Sequence, residues 1–283
     1  MQALDRIVFR TETVHVGAFE CAVRDPRFRN SGPIERQLVV FPRTSVWIRH
    51  AGSRAFVADP HITTIYNRGQ EYTREAVSTE GDRCDWFGVS PETAREIVSS
   101  HDARAADDEA RPFRFARSRC TPELYLRQRV LFHRLERGSI GPLHAEESVL
   151  NIVASVIRAA YEADSRGVSA GGVTDAHRDL AERARADIAV HSRAKTTVTD
   201  MARRLGVSPF HLCRVFRGVT GATLHAYRTA LRQRMALESL AAESCSVSRV
   251  AADFGFATHS HLTSTLRRGL GLTPTALRAL MQQ

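Results

Sequence analysis

Through the first ninety residues the apolar positions fall in short runs: Leu38–Phe41, Val46–His50, Ala55–Ala58, Ile62–Tyr66 and Cys84–Val89. Between them stand turn formers such as Arg29-Asn30-Ser31-Gly32-Pro33, Ala51-Gly52-Ser53, Asp59-Pro60, Asn67-Arg68-Gly69 and Glu80-Gly81-Asp82. β-Branched and aromatic runs bounded this way predict strands, and their regular spacing predicts a β sandwich or small barrel over residues 1–90. After residue 90 the period lengthens. Ser90-Pro91-Glu92 pairs a capping serine with proline at the first helical position and predicts a helix to about Ser100. The polar stretch 101–112 (HDARAADDEARP) reads as loop. Thr121-Pro122-Glu123 opens a second helix carrying Leu124, Val130, Leu131 and Leu135 and stopping at Gly138. A third, over 143–163, sets Val149, Ile152, Val153, Val156, Ile157 and Ala160 three and four apart. The short Gly/Pro connection predicts an antiparallel hairpin over 121–163, whose long apolar stripe serves either the core or a dimer surface. Residues 164–174 (DSRGVSAGGVT) are Gly/Ser-rich, which places an interdomain linker at 166–174.

From residue 175 to 283 the pattern is helical with polar breaks, and it contains a repeat. VTDMARRLGVSPFHLCRVFRGVTG (198–221) and VSRVAADFGFATHSHLTSTLRRGLG (247–271) share a template: Val198 matches Val247, Ala202 matches Ala251, Leu205 matches Phe254 and Gly206 matches Gly255. After one added residue Leu212 matches Leu262, Phe216 matches Leu266 and Gly221 matches Gly271. Each copy is a helix, a turn at glycine and a second helix, with a small alanine where the two helices cross. That is the helix-turn-helix plan, placed at 198–217 and 247–268. At 100° per residue, Leu212, Val215, Phe216 and Val219 form the inner stripe of the first second-helix, and Phe210, Cys213, Arg214 and Arg217 the outer one. In the second copy Leu262, Thr265 and Leu266 face inward. Ser260, Thr263, Ser264 and Arg267 face outward, with His259 and His261 near the helix start.

Charge bears on what this surface meets. The net charge is +9, and residues 183–283 hold 15 Lys+Arg against 5 Asp+Glu, whereas residues 1–182 hold 25 against 26. A basic C-terminal third built from helix-turn-helix units points to double-stranded DNA, whose phosphates such a surface neutralises. Arg214 is the expected base reader, since its fork matches guanine O6 and N7. Phe210 suits a thymine methyl, with His211 and Cys213 beside it. Arg217, Arg267 and Arg268 are expected on phosphates, which set register without reading sequence. The Ser, Thr and His of the second helix offer less base reading.

These residues resemble the AraC/XylS-type transcription regulators over about 180–281. Gly206-Val207-Ser208 with Leu212, Arg214 and Phe216 resembles the first motif of that family. Thr220-Gly221, Tyr227, Arg232 and Ala236 resemble its connecting helix. Val250-Ala251, Gly255-Phe256, Gly271, Thr273-Pro274 and Arg278 resemble its second motif. Leu262 and Leu266 stand where the family usually has aromatics, and Leu277 where it has tyrosine. The resemblance implies two motifs held by one connecting helix and entering successive major grooves about 34 Å apart. It also implies a cupin-like front domain over 1–165 (strands 1–90, helices 91–163) that senses a small molecule or mediates dimerisation. The fold class expected is therefore α+β: a cupin-like β sandwich or barrel with a helical hairpin, then an all-α double helix-turn-helix domain. The expected function is an effector-responsive activator of promoters, a homodimer working with RNA polymerase.

In the front domain Tyr66, Arg68, Tyr72, Arg74 and Trp86 crowd into little sequence, with Arg83 and Cys84. Either they line a pocket for an acidic or aromatic small-molecule effector, or they form an edge strand with turn-stabilising Asp-Arg pairs. An enzyme reading competes: a cupin-type oxygenase, or a repair alkyl acceptor, fused to a DNA reader. The first needs a metal triad, and His50, His61 and Glu71 include no His-x-His pair. The second needs a four-cysteine zinc site, whereas Cys21, Cys84, Cys120, Cys213 and Cys245 are scattered. No metal, cofactor or catalytic residue is expected. Composition is that of a soluble globular chain, 43% hydrophobic and 25% charged. No apolar run approaches the roughly 20 residues that span a bilayer, and the charged stretch MQALDRIVFRTETVH is not expected to serve as an export signal. A reducing cytoplasm and no membrane partner are the expectation.

Overall fold

The computed structural model describes residues 4–30, 32–167, 172–241 and 246–282. The chain divides into two units, Met1–Ser169 and Ala170–Gln282. Of the expected linker, residues 168–171 lie outside the described residues, as does Cys245.

The first unit contains β1 (Asp5–Arg10), β2 (Val14–Cys21), β3 (Gln37–Pro42), β4 (Val46–His50), β5 (Phe56–Ala58), β6 (Ile62–Tyr66), β7 (Tyr72–Ala76), β8 (Asp82–Val89) and β9 (Arg117–Arg119). They make two antiparallel sheets, one of six strands in the order β1-β2-β8-β3-β6-β9 and one of three in the order β5-β4-β7. The helices of this unit are α1 (Pro91–Ser99), the short α2 (Ala103–Asp107), α3 (Pro122–Glu136) and α4 (Pro142–Gly167).

All six residues of β3 are buried because both faces of the larger sheet are covered. Val39 and Phe41 join Val14, Val16, Phe87 and Val89 on one face, beneath the helices. Leu38 and Val40 join Phe19, Cys84, Trp86 and Tyr66 on the other, facing the smaller sheet. Alternation thus builds two cores from one sheet, and a one-residue slip in β3 would exchange them.

The antiparallel two-sheet fold is the cupin-like architecture expected for 1–165. Several local readings need correction. A strand, β9, stands within the supposed helical stretch 91–163. It is only three residues long, with arginine at both ends, so it carries no apolar run to read. Residues 101–112 are not all loop: Asp102 caps α2, accepting from Ala105 N at 3.1 Å. The third helix runs on to Gly167 rather than 163. Its stripe is core, since Val149, Ile152, Val153, Val156 and Ile157 are all buried within the unit against the larger sheet and α3. That removes the stripe as a dimer surface. Beneath it the buried Arg129 of α3 donates to the buried Asp85 of β8.

The second unit is all helical: α5 (Asp175–Val190), α6 (Val198–Leu205), α7 (Pro209–Thr220), α8 (Leu224–Ala241), α9 (Val247–Asp253), α10 (His259–Leu270) and α11 (Pro274–Gln282). Among the described residues no helix is long and apolar enough to cross a membrane. The repeat is visible atom by atom. In the first copy Val207 N donates to Ala202 O at 3.0 Å, and in the second Phe256 N donates to Ala251 O at 2.8 Å. Both closures turn on a left-handed glycine, Gly206 at φ 71° and Gly255 at φ 72°, a conformation that a side chain would strain. Ala202 and Ala251 are buried, as close helix crossing requires.

Candidate nucleic-acid interface and ligand cavity

Each candidate reading helix starts at a hydroxyl cap. Ser208 Oγ accepts from His211 N at 3.2 Å, and Pro209 fills the first helical position of α7. Thr258 Oγ1 accepts from His261 N at 3.0 Å at the start of α10. The caps fix where each helix begins, and hence which residues its first turn presents.

The inner stripe of α7 is buried at Leu212, Val215 and Phe216, with Val219 half-buried. The outer stripe is solvent-facing: Phe210 is 79% exposed, and Cys213, Arg214 and Arg217 are exposed. His211 is half-buried, its Nδ1 3.3 Å from Arg214 Nη2. On α10, Leu262, Thr265 and Leu266 are buried, and His259, Ser260, His261, Ser264, Arg267 and Arg268 are exposed. Thr263, expected outward, is half-buried. His261 is partly committed to local structure, since its Nδ1 lies 3.3 Å from Ala257 N and its ring 5.5 Å from that of Phe256.

Arginines in this unit divide by role. Among the described residues none of Arg214, Arg217, Arg267 and Arg268 pairs with a carboxylate. Arg204, away from those two faces, grips Asp187 through two bonds of 2.7 Å. Arg228 and Arg232 of α8 reach inward to main-chain carbonyls. Arg232 Nε donates to Ser192 O at 2.5 Å and its Nη1 to Gly255 O at 2.9 Å, while Arg228 Nε donates to Ser192 O at 3.3 Å. Burial, with Arg228 adding to it, lowers the Arg232 pKa to about 10, so both stay charged at neutral pH. Part of the C-terminal charge excess therefore fastens the fold, a use that charge counting did not separate from DNA contact. Helix α8 packs against α5 and α7 on one side of the repeat and α9, α10 and α11 on the other, so it holds both motifs.

Between the two sheets of the first unit lies a cavity of about 150 Å³. It brings together Tyr66, Tyr72, Arg74 and Trp86, four of the five candidates in the front domain. Arg68 does not belong there: it is exposed in the turn after β6, its N–H donating to Gln37 Oε1 at 3.1 Å. Arg74 lies on β7, an edge strand, and is 1% exposed. Its Nη1 donates to Asp82 Oδ2 at 2.5 Å and its Nε to Phe28 O at 2.8 Å. The pocket wall and the Asp-Arg pair are thus one arrangement rather than alternatives. Sequence reasoning missed the aliphatic walls, among them Leu38, Val40, Val46 and Ile48. The alternation along β3 and β4 is the signal that marks them. Burial pushes the Asp82 carboxyl up, opposed by Arg74, and also raises the Cys84 thiol. No group of three or more His, Cys, Asp or Glu among the described residues is placed to hold a metal ion.

Capped helices, glycine turns and unpaired outward arginines define a helix-turn-helix DNA-binding domain. Residues 201–279 match the family model described as a helix-turn-helix domain. The second unit thus carries a helix-turn-helix domain of the AraC type. No curated protein matches it. Among solved structures it is similar to an AraC-type DNA-binding domain-containing regulator from Chromobacterium violaceum, at 25% identity over 39% of this chain and 98% of that one, TM-score 0.36. The DNA-binding domain of AdpA, described as a global transcriptional factor in complex with a target DNA, shares 31% identity over 35% of this chain and 89% of that one, TM-score 0.33. ToxT from Vibrio cholerae strain SCE256, bound to an unsaturated fatty acid, shares 10% identity over 94% of this chain and 95% of that one, TM-score 0.38.

Proposed function

We propose that this AraC-type regulator reads promoter DNA with the exposed faces of α7 and α10 and answers to a small molecule held between the two sheets of its first unit. The observation carrying the DNA half is the pairing pattern: Arg214, Arg217, Arg267 and Arg268 are exposed and without carboxylate partners, while a large aromatic, Phe210, stands open to solvent beside them. An uncompensated cationic face with an exposed apolar tip suits phosphates and a groove floor. Arg214 with Phe210 and Cys213 reads bases; Arg217, Arg267 and Arg268 hold phosphates; His259, Ser260, His261 and Ser264 form the second, less discriminating contact. The family resemblance supports activation through RNA polymerase and assembly as a homodimer, by a surface other than the Val149–Ile157 stripe.

The test is mapping of sites bound by the chain across a genome, followed by affinity measurement on one such site over a salt series. Log K falling against log salt with a slope of about −0.9 per neutralised phosphate supports this reading. Salt-insensitive binding, or none, removes it.

A further inference from the structure

Resting on the effector reading of the inter-sheet cavity, we infer that the cavity selects an uncharged, single-ring aromatic molecule bearing a hydrogen-bond donor, a phenol in the simplest case, and rejects carboxylates.

Size sets the first limit. The cavity volume is about 150 Å³. An apolar cavity of roughly 150 Å³ admits a benzene-sized guest. The walls suit a ring: Phe19, Tyr66, Tyr72 and Trp86 supply aromatic faces and edges, and Val40 and Ile48 supply aliphatic surface.

Charge sets the second. The buried Arg74 looks at first like an anion receptor, but its charge is already matched. Asp82 lies at 2.5 Å and the Tyr72 hydroxyl at 3.5 Å, and the guanidinium carbon sits 4.6 Å from the Phe19 ring centre. The second lining cation, Arg36, lies 5.8 Å over Trp86 with Glu35 at 3.6 Å. The lining thus holds three acids, Asp5, Glu35 and Asp82, against two arginines. An entering carboxylate would lose its water and find the Arg74 charge already taken by Asp82. A neutral hydroxyl meets acceptors instead. Asp5 takes Trp86 Nε1–H on Oδ1 at 2.9 Å, and no described residue bonds its second oxygen. Because Pro33 and Glu35 of the lining are exposed, the cavity reaches solvent beside them.

The test uses the full chain with three probes of one shape: 4-methylphenol, 4-methylbenzoate and 4-methylbenzylammonium. Binding is read by calorimetry and by fluorescence in a Trp47→Phe background, where Trp86 is the remaining tryptophan. The phenol should bind saturably with Kd on the order of 1 mM or tighter, and the benzoate at least about tenfold more weakly. Equal or tighter binding of the benzoate or the ammonium probe overturns the ligand class while leaving the effector site in place. No binding of any probe overturns the effector reading itself. Asp82→Asn frees the Arg74 charge and should raise benzoate affinity; a folded variant without that gain removes the charge-matching argument. The wild-type comparison stands without the variant.

Discussion

Arg232 spans the two repeats: its guanidinium holds the carbonyl of Gly255, in the turn of the second motif, at 2.9 Å while its Nε holds Ser192 O, ahead of the first. The two turn glycines therefore differ in tolerance despite equal φ. A Cβ at Gly206 meets open space, whereas one at Gly255 falls 2.8 Å from Arg232 Nη2 and 3.0 Å from Arg193 O. Gly206→Ala should cost only the left-handed penalty, about 1 kcal/mol. Gly255→Ala should cost about 2–4 kcal/mol; Arg232→Ala should cost about 1–3 kcal/mol, because it strands Gly255 O while Arg228 still donates to Ser192 O and Ala194 O. Urea unfolding followed by circular dichroism checks the order. Equal midpoints for the two alanine variants would show that Arg232 swings aside freely.

DNA contact should separate from stability. Phe210 and Arg214 are exposed and bury nothing in the free chain, so replacing either by alanine should shift stability by no more than about 0.5 kcal/mol. Arg214→Ala should nevertheless weaken operator binding by about 1–3 kcal/mol and relax preference at its base pair. Arg267→Ala should weaken all sequences alike and lower the salt slope by about one unit. Fluorescence anisotropy across a set of single-base operator variants distinguishes the two patterns. Unchanged affinity takes Arg214 off the reading face.

Legibility from sequence followed the physics of each element. The repeat was readable because glycine turns and alanine crossings leave no substitute, and Gly206, Gly255, Ala202 and Ala251 each sit where that logic puts them. The α7 face followed from helical periodicity alone. β3 and β6 were readable as runs because both their faces are buried. β1, with its three apolar residues flanked by Asp5, Arg6 and Arg10 and most of it exposed, gave a weaker signal, and β9 none at all. The destination of a charge was the least legible feature. Arg214 and Arg232 are the same residue type eighteen positions apart, and only the fold shows that one faces solvent and the other the main chain.

The buried stripe of α4 makes a discriminating prediction about assembly. Val153 and Ile157 were natural choices for a dimer surface, but they pack inside the unit. A carboxylate there has neither water nor a partner. Val153→Asp or Ile157→Asp should cost more than about 4 kcal/mol and unfold the first unit rather than yield a monomer. Near-ultraviolet circular dichroism with sedimentation reads this directly. A folded, monomeric variant would return the stripe to the dimer interface.

His50 should make the first unit sensitive to acid. It is buried on β4, its ring centre 4.7 Å from that of Tyr66 and 5.7 Å from that of Phe56, and among the described residues its Nε2 has no hydrogen-bond partner. Burial disfavours the imidazolium and lowers its pKa from 6.5 to about 4. The unfolded chain therefore binds a proton at this site between pH 6.5 and 4 that the folded chain refuses. Stability from this group is fully present above pH 6.5 and declines as pH falls toward 4, by about 3 kcal/mol in all and about 2 kcal/mol by pH 5. Phenylalanine keeps the ring packing and cannot take the proton, so His50→Phe should remove this slope and leave that of every other group. Urea unfolding of both proteins between pH 7 and 4.5 measures the difference. Parallel curves would mean that His50 is protonated in the folded chain as readily as in the unfolded one, by water reaching its ring.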